Sequence, residues 1–304
     1  MDTLSRMTTV GVIGLGVMGL AMAQNLSRSG FTVYGYDIDA KRKKLFKQAN
    51  GSVCRSVQEL AGRVDVLITS LPSAQALMTV CGLLAESQVR KLTVIETSTL
   101  QIKEKIAAKR LLIPAQMVML DCPLSGTGSQ AKTKDLVVYG SGQIAAFKKV
   151  RLVLQGFSRN QFYLGAFGNG MKMKLMANLL VAIHNVSTAE ALLLGQRWGI
   201  SPRKAVEVLS DGAGGSRMLQ VRGPFMEDEG WKEVTMKISV WQKDMYLISQ
   251  ALAETQVAAP LFAATVPIYN AAMGMGHASH DTAAVFDVLS RMCSEPTKSA
   301  SKKR

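Results

Sequence analysis

Two sets of residues in this chain have the types and spacing that chemistry needs. The first is Gly14-Leu15-Gly16-Val17-Met18-Gly19, followed about twenty residues on by Asp37. Gly14 permits a tight turn, Gly16 lets the backbone approach a pyrophosphate, and Gly19 allows a helix to pack closely on a strand. The helix that follows aims its N-terminal amides at the anion. Asp37 is then placed to accept hydrogen bonds from the adenosine ribose hydroxyls, and its charge opposes a 2′-phosphate. The pattern is that of a dinucleotide site. It favours NAD, with NADP as the second option because Lys41-Arg42-Lys43-Lys44 lies close by. The second set is Lys174 and Asn178, four apart in a helical segment and so on one face of it. On its own this pair carries little, since helix lysines mostly face solvent.

These residues need elements to hold them. Val10–Ile13 reads as a buried strand, Met18–Arg28 as a helix and Phe31–Tyr36 as a second strand. The glycines therefore sit between strand and helix, the context that a phosphate loop requires. Further strands are expected at Val64–Thr69, Leu92–Glu96, Met117–Asp121, Leu136–Tyr139 and Gln161–Tyr163. Helices are expected at Ala74–Ala85, Ile102–Arg110 and Ile144–Leu154. This βαβ rhythm predicts an α/β Rossmann domain with a mostly parallel sheet over 1–165. Beyond Gly165 the rhythm changes: Met171–Trp198 runs for about 28 residues without proline. Pro202–Ser210, Val234–Glu254, Ala263–Met273 and Thr282–Cys293 also read as helices. An all-helical domain over 166–293 is expected, then a basic disordered tail over 294–304.

Composition narrows the function classes. With 304 residues and 48% hydrophobic content the chain is long enough for two domains. Its four cysteines are widely spaced, which predicts reduced thiols in a cytoplasmic setting. The net charge of +14 owes much to Lys41–Lys44 and the tail, with no interleaved aromatics, so nucleic acid is not the expected partner. Residues 1–23 look somewhat like a secretory signal, with Arg6, Val10–Met22 and Ala21-Met22-Ala23, but cleavage there would remove every phosphate-loop glycine. That run is too short and glycine-rich to span a bilayer, and no membrane partner is expected. No metal is expected either, since His277-x-x-His280 has only Asp281 beside it. A short-chain dehydrogenase would carry Tyr-x-x-x-Lys, and none of the six tyrosines has a lysine four residues on.

Four motifs in order make the chain resemble the β-hydroxyacid dehydrogenase family over essentially residues 8–293. The family includes 3-hydroxyisobutyrate dehydrogenase, tartronate semialdehyde reductase, L-threonate dehydrogenase and, more distantly, 6-phosphogluconate dehydrogenase. The motifs are the glycine loop with Met18 before Gly19, Asp121-Cys122-Pro123-Leu124-Ser125-Gly126-Thr127, Gly168-Asn169-Gly170 through Lys174 to Asn178, and Lys243-Asp244. The resemblance implies hydride transfer between NAD(P) and a small hydroxy acid. Lys174 is implied as general acid/base in a cleft, its pKa lowered there by desolvation and nearby positive charge. Asn178 fixes the substrate oxygen or orients the lysine. Ser125 and the amides of Gly126 and Thr127 hold a carboxylate, and Lys243 reaches the active site. Leu71, Pro72 and Thr99, beside Ser98 at strand ends, resemble further cofactor contacts. Thr127 departs from a common glycine and Cys122 from a common alanine. Arg217, after Gly214-Gly215-Ser216, is placed to bind a second anionic or polyhydroxy group. Relatives pair through their helical domains, so a homodimer or homotetramer is expected. The rivals are an imine reductase-like enzyme, which would usually lack the lysine, and a non-catalytic nucleotide- or nucleic-acid-binding scaffold.

Overall fold

The computed structural model describes residues 8–293. The basic tail expected over 294–304, and Arg6, lie outside the described residues. By their contacts the residues form two compact units that divide between Ala177 and Asn178.

The first unit begins with β1 (Thr9–Ile13), α1 (Val17–Arg28), β2 (Thr32–Tyr36), α2 (Ala40–Gln48), β3 (Ser52–Val53), α3 (Val57–Ala61), β4 (Val66–Thr69) and α4 (Ala74–Ala85). It continues with β5 (Thr93–Glu96), α5 (Ile102–Leu111), β6 (Val118–Asp121), β7 (Leu124–Ser125), α6 (Gly128–Lys132), β8 (Val137–Gly140), α7 (Ile144–Lys149), α8 (Arg151–Phe157) and β9 (Asn160–Tyr163). Six strands pair in parallel in the order β3-β2-β1-β4-β5-β6. The alternation of a strand sorts its side chains to two cores. Val10 and Val12 join Met22, Leu26 and Phe157 on one side, and Ile13 joins Leu60, Leu77 and Leu84 on the other. With helices on both faces, the strands read as near-continuous apolar runs. The strand order reverses at β1 and β4, which makes their carboxyl ends the place where such sheets bind ligands.

The sequence reading expected one sheet, and here the structure differs. The strands near Leu136 and Gln161 form a separate three-stranded sheet, with β7 antiparallel to β8 and β8 parallel to β9. Pro123 lacks the N–H that would extend the β6 ladder, and the chain folds back so that Asp121 bridges Ser141. The helix expected over 144–154 bends at Val150 into α7 and α8, which keeps Phe147, Val150, Leu154 and Phe157 turned to one core.

Helix α9 (Asn169–Arg197) begins in the first unit and continues in the second, which also holds α10 (Pro202–Asp211), α11 (Arg217–Arg222), α12 (Ile238–Thr255), α13 (Pro260–Gly274) and α14 (Val285–Met292). Helix α12 starts four residues later than Val234, because the amides of Thr235 and Met236 donate to Asp281 instead of entering a helix.

Candidate active site

The phosphate loop closes as its glycines demand. Gly14 has φ +89°, and a Cβ there would lie 2.1 Å from the Ser70 carbonyl oxygen after β4. A Cβ on Gly19 would lie 1.8 Å from the Gly14 carbonyl oxygen, so only glycine lets α1 start this close to β1. Helix α1 begins at Val17, with Gly16 as an N-cap that offers no side chain, and has no acidic residue in its first turn. By contrast Asp39, Ser56 and Ser73 cap α2, α3 and α4. Uncapped amides at a positive helix end suit a pyrophosphate, so the residues present fit a dinucleotide.

Asp37 follows β2 and is only 5% exposed. Its carboxylate accepts the Leu15 amide at 2.7 Å and the Asp39 amide at 2.8 Å, which ties the phosphate loop to the end of β2. Arg42 Nη1 stands 3.7 Å from the same carboxylate and 3.1 Å from where a Cβ of Gly16 would be. Sequence reasoning treated Lys41–Lys44 as a block and missed that Arg42 is the member that meets Asp37. The helical phase of α2 was the available signal. At the carboxyl ends of the neighbouring strands β4 and β5, the Leu71 amide donates to Ser98 Oγ at 2.8 Å, so the two expected strand-end segments are brought together. Pro72 is exposed and Thr99 half-buried beside them.

In the substrate-motif segment Ser125 ends β7 and Gly126 and Thr127 lead into α6. One expectation changes here. The Thr127 amide is already taken by Gln130 Oε1 at 3.0 Å, because Thr127 is the N-cap of α6. Thr127 therefore has a capping role, and a carboxylate would be left with the Ser125 hydroxyl and the Gly126 amide. Cys122 is fully buried beside Asp121, and that burial pushes its thiol up.

Asp121 itself, read only as the motif's first letter, is the centre of a buried network. Its carboxylate accepts Lys105 Nζ at 2.7 Å, Ser141 Oγ at 3.1 Å and the Met171 amide at 2.9 Å. Lys105 also stands 3.3 Å from Glu96, and all three charged side chains have 0% exposure. Burial pulls the Lys105 ammonium down, but the charges of Glu96 and Asp121 outweigh it and hold it raised. Burial raises the Glu96 carboxyl. The i, i+4 spacing that marks helix pairs gives no warning of such a triad, since its members come from α5, β5 and β6.

Lys174 lies on α9, half-buried and three residues past Met171, and Lys172 is exposed, as expected of a lysine out of phase. In the second unit, Asn178 is buried and its amide nitrogen donates to Asp244 at 2.9 Å. Asp244 in turn lies 3.6 Å from Lys243 Nζ on α12. The Lys243-Asp244 motif thus orients Asn178 through Asp244. Arg217 opens α11, exposed, after Ser216 caps it. Among the described residues no group of three or more His, Cys, Asp or Glu side chains is set to hold a metal ion.

Comparison with known proteins agrees over both units. Residues 9–165 match the family described as the NAD binding domain of 6-phosphogluconate dehydrogenase. Residues 168–289 match that described as NAD-binding of NADP-dependent 3-hydroxyisobutyrate dehydrogenase. The chain is 32% identical to the L-threonate dehydrogenase of Cupriavidus necator, covering 92% of this chain and 95% of that one. It resembles the structure of a 3-hydroxyisobutyrate dehydrogenase of Mycobacterium tuberculosis with L-serine, at 26% identity and a TM-score of 0.83, covering 93% and 99% of the two chains. An imine reductase of a Pseudomonas species shares the fold alone, at 17% identity and a TM-score of 0.61, covering 93% and 99%.

Proposed function

The chain belongs to the β-hydroxyacid dehydrogenase family, NAD(P)-dependent oxidoreductases acting on CH–OH groups, and from that premise we propose that it oxidises a small hydroxy acid with Lys174 as general acid/base. The observation that carries this reading is the spacing on α9, where Lys174 and Asn178 share a face and Asp244 fixes the Asn178 amide. The substrate class is that of 3-hydroxyisobutyrate, glycerate or threonate, and the L-serine in the mycobacterial relative's structure suits the same class.

Bound NAD(P) supplies a hydride acceptor at its nicotinamide. The chain's own residues do the rest. The neutral Lys174 amine takes the hydroxyl proton as the C–H electron pair leaves, and the ammonium returns it in the reductive direction. Asn178 hydrogen-bonds the substrate oxygen or steadies the lysine, and the Ser125 hydroxyl and Gly126 amide hold the carboxylate. Lys243 adds positive charge, and Arg217 meets a second polar group on larger substrates. Gly14 to Gly19 hold the pyrophosphate, with Asp37 on the adenosine ribose. The preferred cofactor is NAD, since the Asp37 carboxylate opposes a 2′-phosphate. No step in this scheme uses a metal. The enzyme acts in the cytoplasm as a homodimer or homotetramer. Helix α9 has the length and composition of a membrane span, yet the 168–289 family match runs through it whole.

The test is a panel of 3-hydroxyisobutyrate, D-glycerate, L-threonate, L-serine and 3-hydroxypropionate with NAD and NADP, repeated with Lys174→Ala. Turnover of at least one acid is expected, with kcat lowered at least about 10²-fold in the variant and NAD affinity unchanged. Full turnover by Lys174→Ala would remove the lysine from the mechanism.

A further inference from the structure

Most helices in this chain that have a side-chain cap take it from a residue next to their own start. Ser56, Ser73, Ser201 and Ser216 each accept the amide three residues on. Helix α9 differs, because its first amides are satisfied by side chains far away in sequence. Gly170 N–H donates to Ser141 Oγ at 2.9 Å and Met171 N–H to Asp121 Oδ2 at 2.9 Å. Ser141 and Asp121 are themselves locked together by paired backbone bonds of 2.8 and 3.0 Å. A Cβ on Gly170 would lie 2.2 Å from the Tyr139 carbonyl oxygen and 2.8 Å from that of Asp121, so the helix start is pressed against the strand ends.

Behind that cap stands Lys105. Its ammonium joins Asp121 at the end of β6 to Glu96 at the end of β5, with no exposure at any of the three. As a source of stability alone, such a buried ionic group is a poor choice, since an apolar replacement of similar volume often does as well. What a charged group offers instead is a fixed direction. Lys105 holds Oδ1 of Asp121, which leaves Oδ2 aimed at Met171, and Met171 lies one helical turn before Lys174.

We propose that Lys105, Asp121 and Ser141 are positioning residues for Lys174, setting the axial and rotational placement of the first turn of α9. They touch neither substrate nor cofactor; they act through the helix cap. This rests on the acid/base reading of Lys174. A shift of about 1 Å in a reacting group can cost about 10²-fold in rate, so a loose cap should appear in kcat.

The test compares wild type, Lys174→Ala, Asp121→Asn and Ser141→Ala on the substrate found by the panel. Asp121→Asn keeps an oxygen for Met171 but loses the charge that holds Lys105. It is expected to lower kcat about 10²-fold, with NAD affinity by calorimetry unchanged because the phosphate loop runs from β1 into α1, apart from β6 and α9. Ser141→Ala, a milder change, is expected to lower kcat about tenfold. In both, the limb of the pH–rate profile governed by Lys174 moves, and amide exchange speeds up over Gly170–Leu175 but not over β1. A merely structural role would lower the yield of folded enzyme and leave the pH profile of the folded fraction in place. If Asp121→Asn does not fold, Ser141→Ala decides alone. Wild-type kcat and pH profile in the folded variants, with Lys174→Ala inactive, would overturn the inference and leave the acid/base reading standing. Full activity of Lys174→Ala would overturn both.

Discussion

Each unit of this molecule is organised around a buried aspartate, and the two are used differently. Asp121 and Asp281 both have 0% exposure, and each pairs with a buried cation, Lys105 in one case and Arg222 in the other. Asp281 accepts Arg222 at 2.9 Å together with the amides of Thr235, Met236 and Ala283 and the Thr235 hydroxyl. Arg222 also bonds the Thr235 hydroxyl directly. That set joins the end of α11 at Arg222, the extended segment before α12 and the turn before α14. Asp121 spends two of its bonds on a cation and a hydroxyl and the third on the start of the helix that carries Lys174. The cations differ too. Burial, the largest influence on Arg222, lowers its guanidinium despite Asp281, whereas two carboxylates around one ammonium leave Lys105 raised. Neither buried pair need add net stability over an apolar replacement; what differs is that one fixes loops to each other and the other fixes the start of a helix.

The largest expected effect that separates these roles is in Asp281→Ala. Removing one member of a buried pair leaves Arg222 uncompensated and three amides without their acceptor, which costs about 3–5 kcal/mol. Urea unfolding should show that loss, and turnover per folded molecule should stay at the wild-type value. A fall in turnover with unchanged stability would break the distinction drawn here.

A third carboxylate, Asp37, sharpens the comparison, since it collects amides as the other two do but ties down the glycine loop proposed to hold the cofactor. Asp37→Asn keeps the shape and removes the charge. Hydrogen bonds to a charged group contribute about 1.5–3 kcal/mol, so NAD affinity is expected to fall about tenfold or more. NADP, relieved of repulsion and met by Arg42, should lose less. Calorimetry with both cofactors checks this, and an unchanged NAD/NADP ratio would show that another residue sets the choice.

How much of this was legible depends on the range of the interaction. The glycine loop, Asp37 and the strands around them follow local rules, so their placement could be read from Thr8 to Asp37 alone. Lys174 and Asn178 were legible as a helix pair. The partner of Asn178 was half-legible, because Asp244 sits in a motif but nothing in the spacing says which amide it holds. The bond from the Thr127 amide to Gln130 has a local signal, the Thr127-x-x-Gln130 capping pair, which competes with a ligand role for that amide. Lys105, Asp281 and the second sheet were not legible. Their contacts join residues far apart in sequence, and neither periodicity nor composition records which buried charges meet.

The smallest expected effect concerns pH and tests whether Glu96 belongs to the Asp121 network electrostatically. Burial raises the Glu96 carboxyl above the ordinary 4.5, with the Lys105 charge opposing that shift. The folded protein therefore holds this proton more tightly than the unfolded chain does. Below pH 4.5 both states are protonated at this group and its contribution is complete. As pH rises through 4.5 the unfolded chain releases the proton first, which favours unfolding, and the contribution declines until folded Glu96 also ionises. The sign is opposite to that of a salt-bridged aspartate, whose stabilisation grows as pH rises. Glu96→Gln keeps the size and cannot titrate, so the stability of wild type relative to this variant should fall as pH is raised from 4 towards 8. Urea midpoints of the two proteins across that range measure it. A difference that stays flat, or grows with pH, would mean that Lys105 holds Glu96 ionised throughout and that the triad acts as one fixed ion cluster.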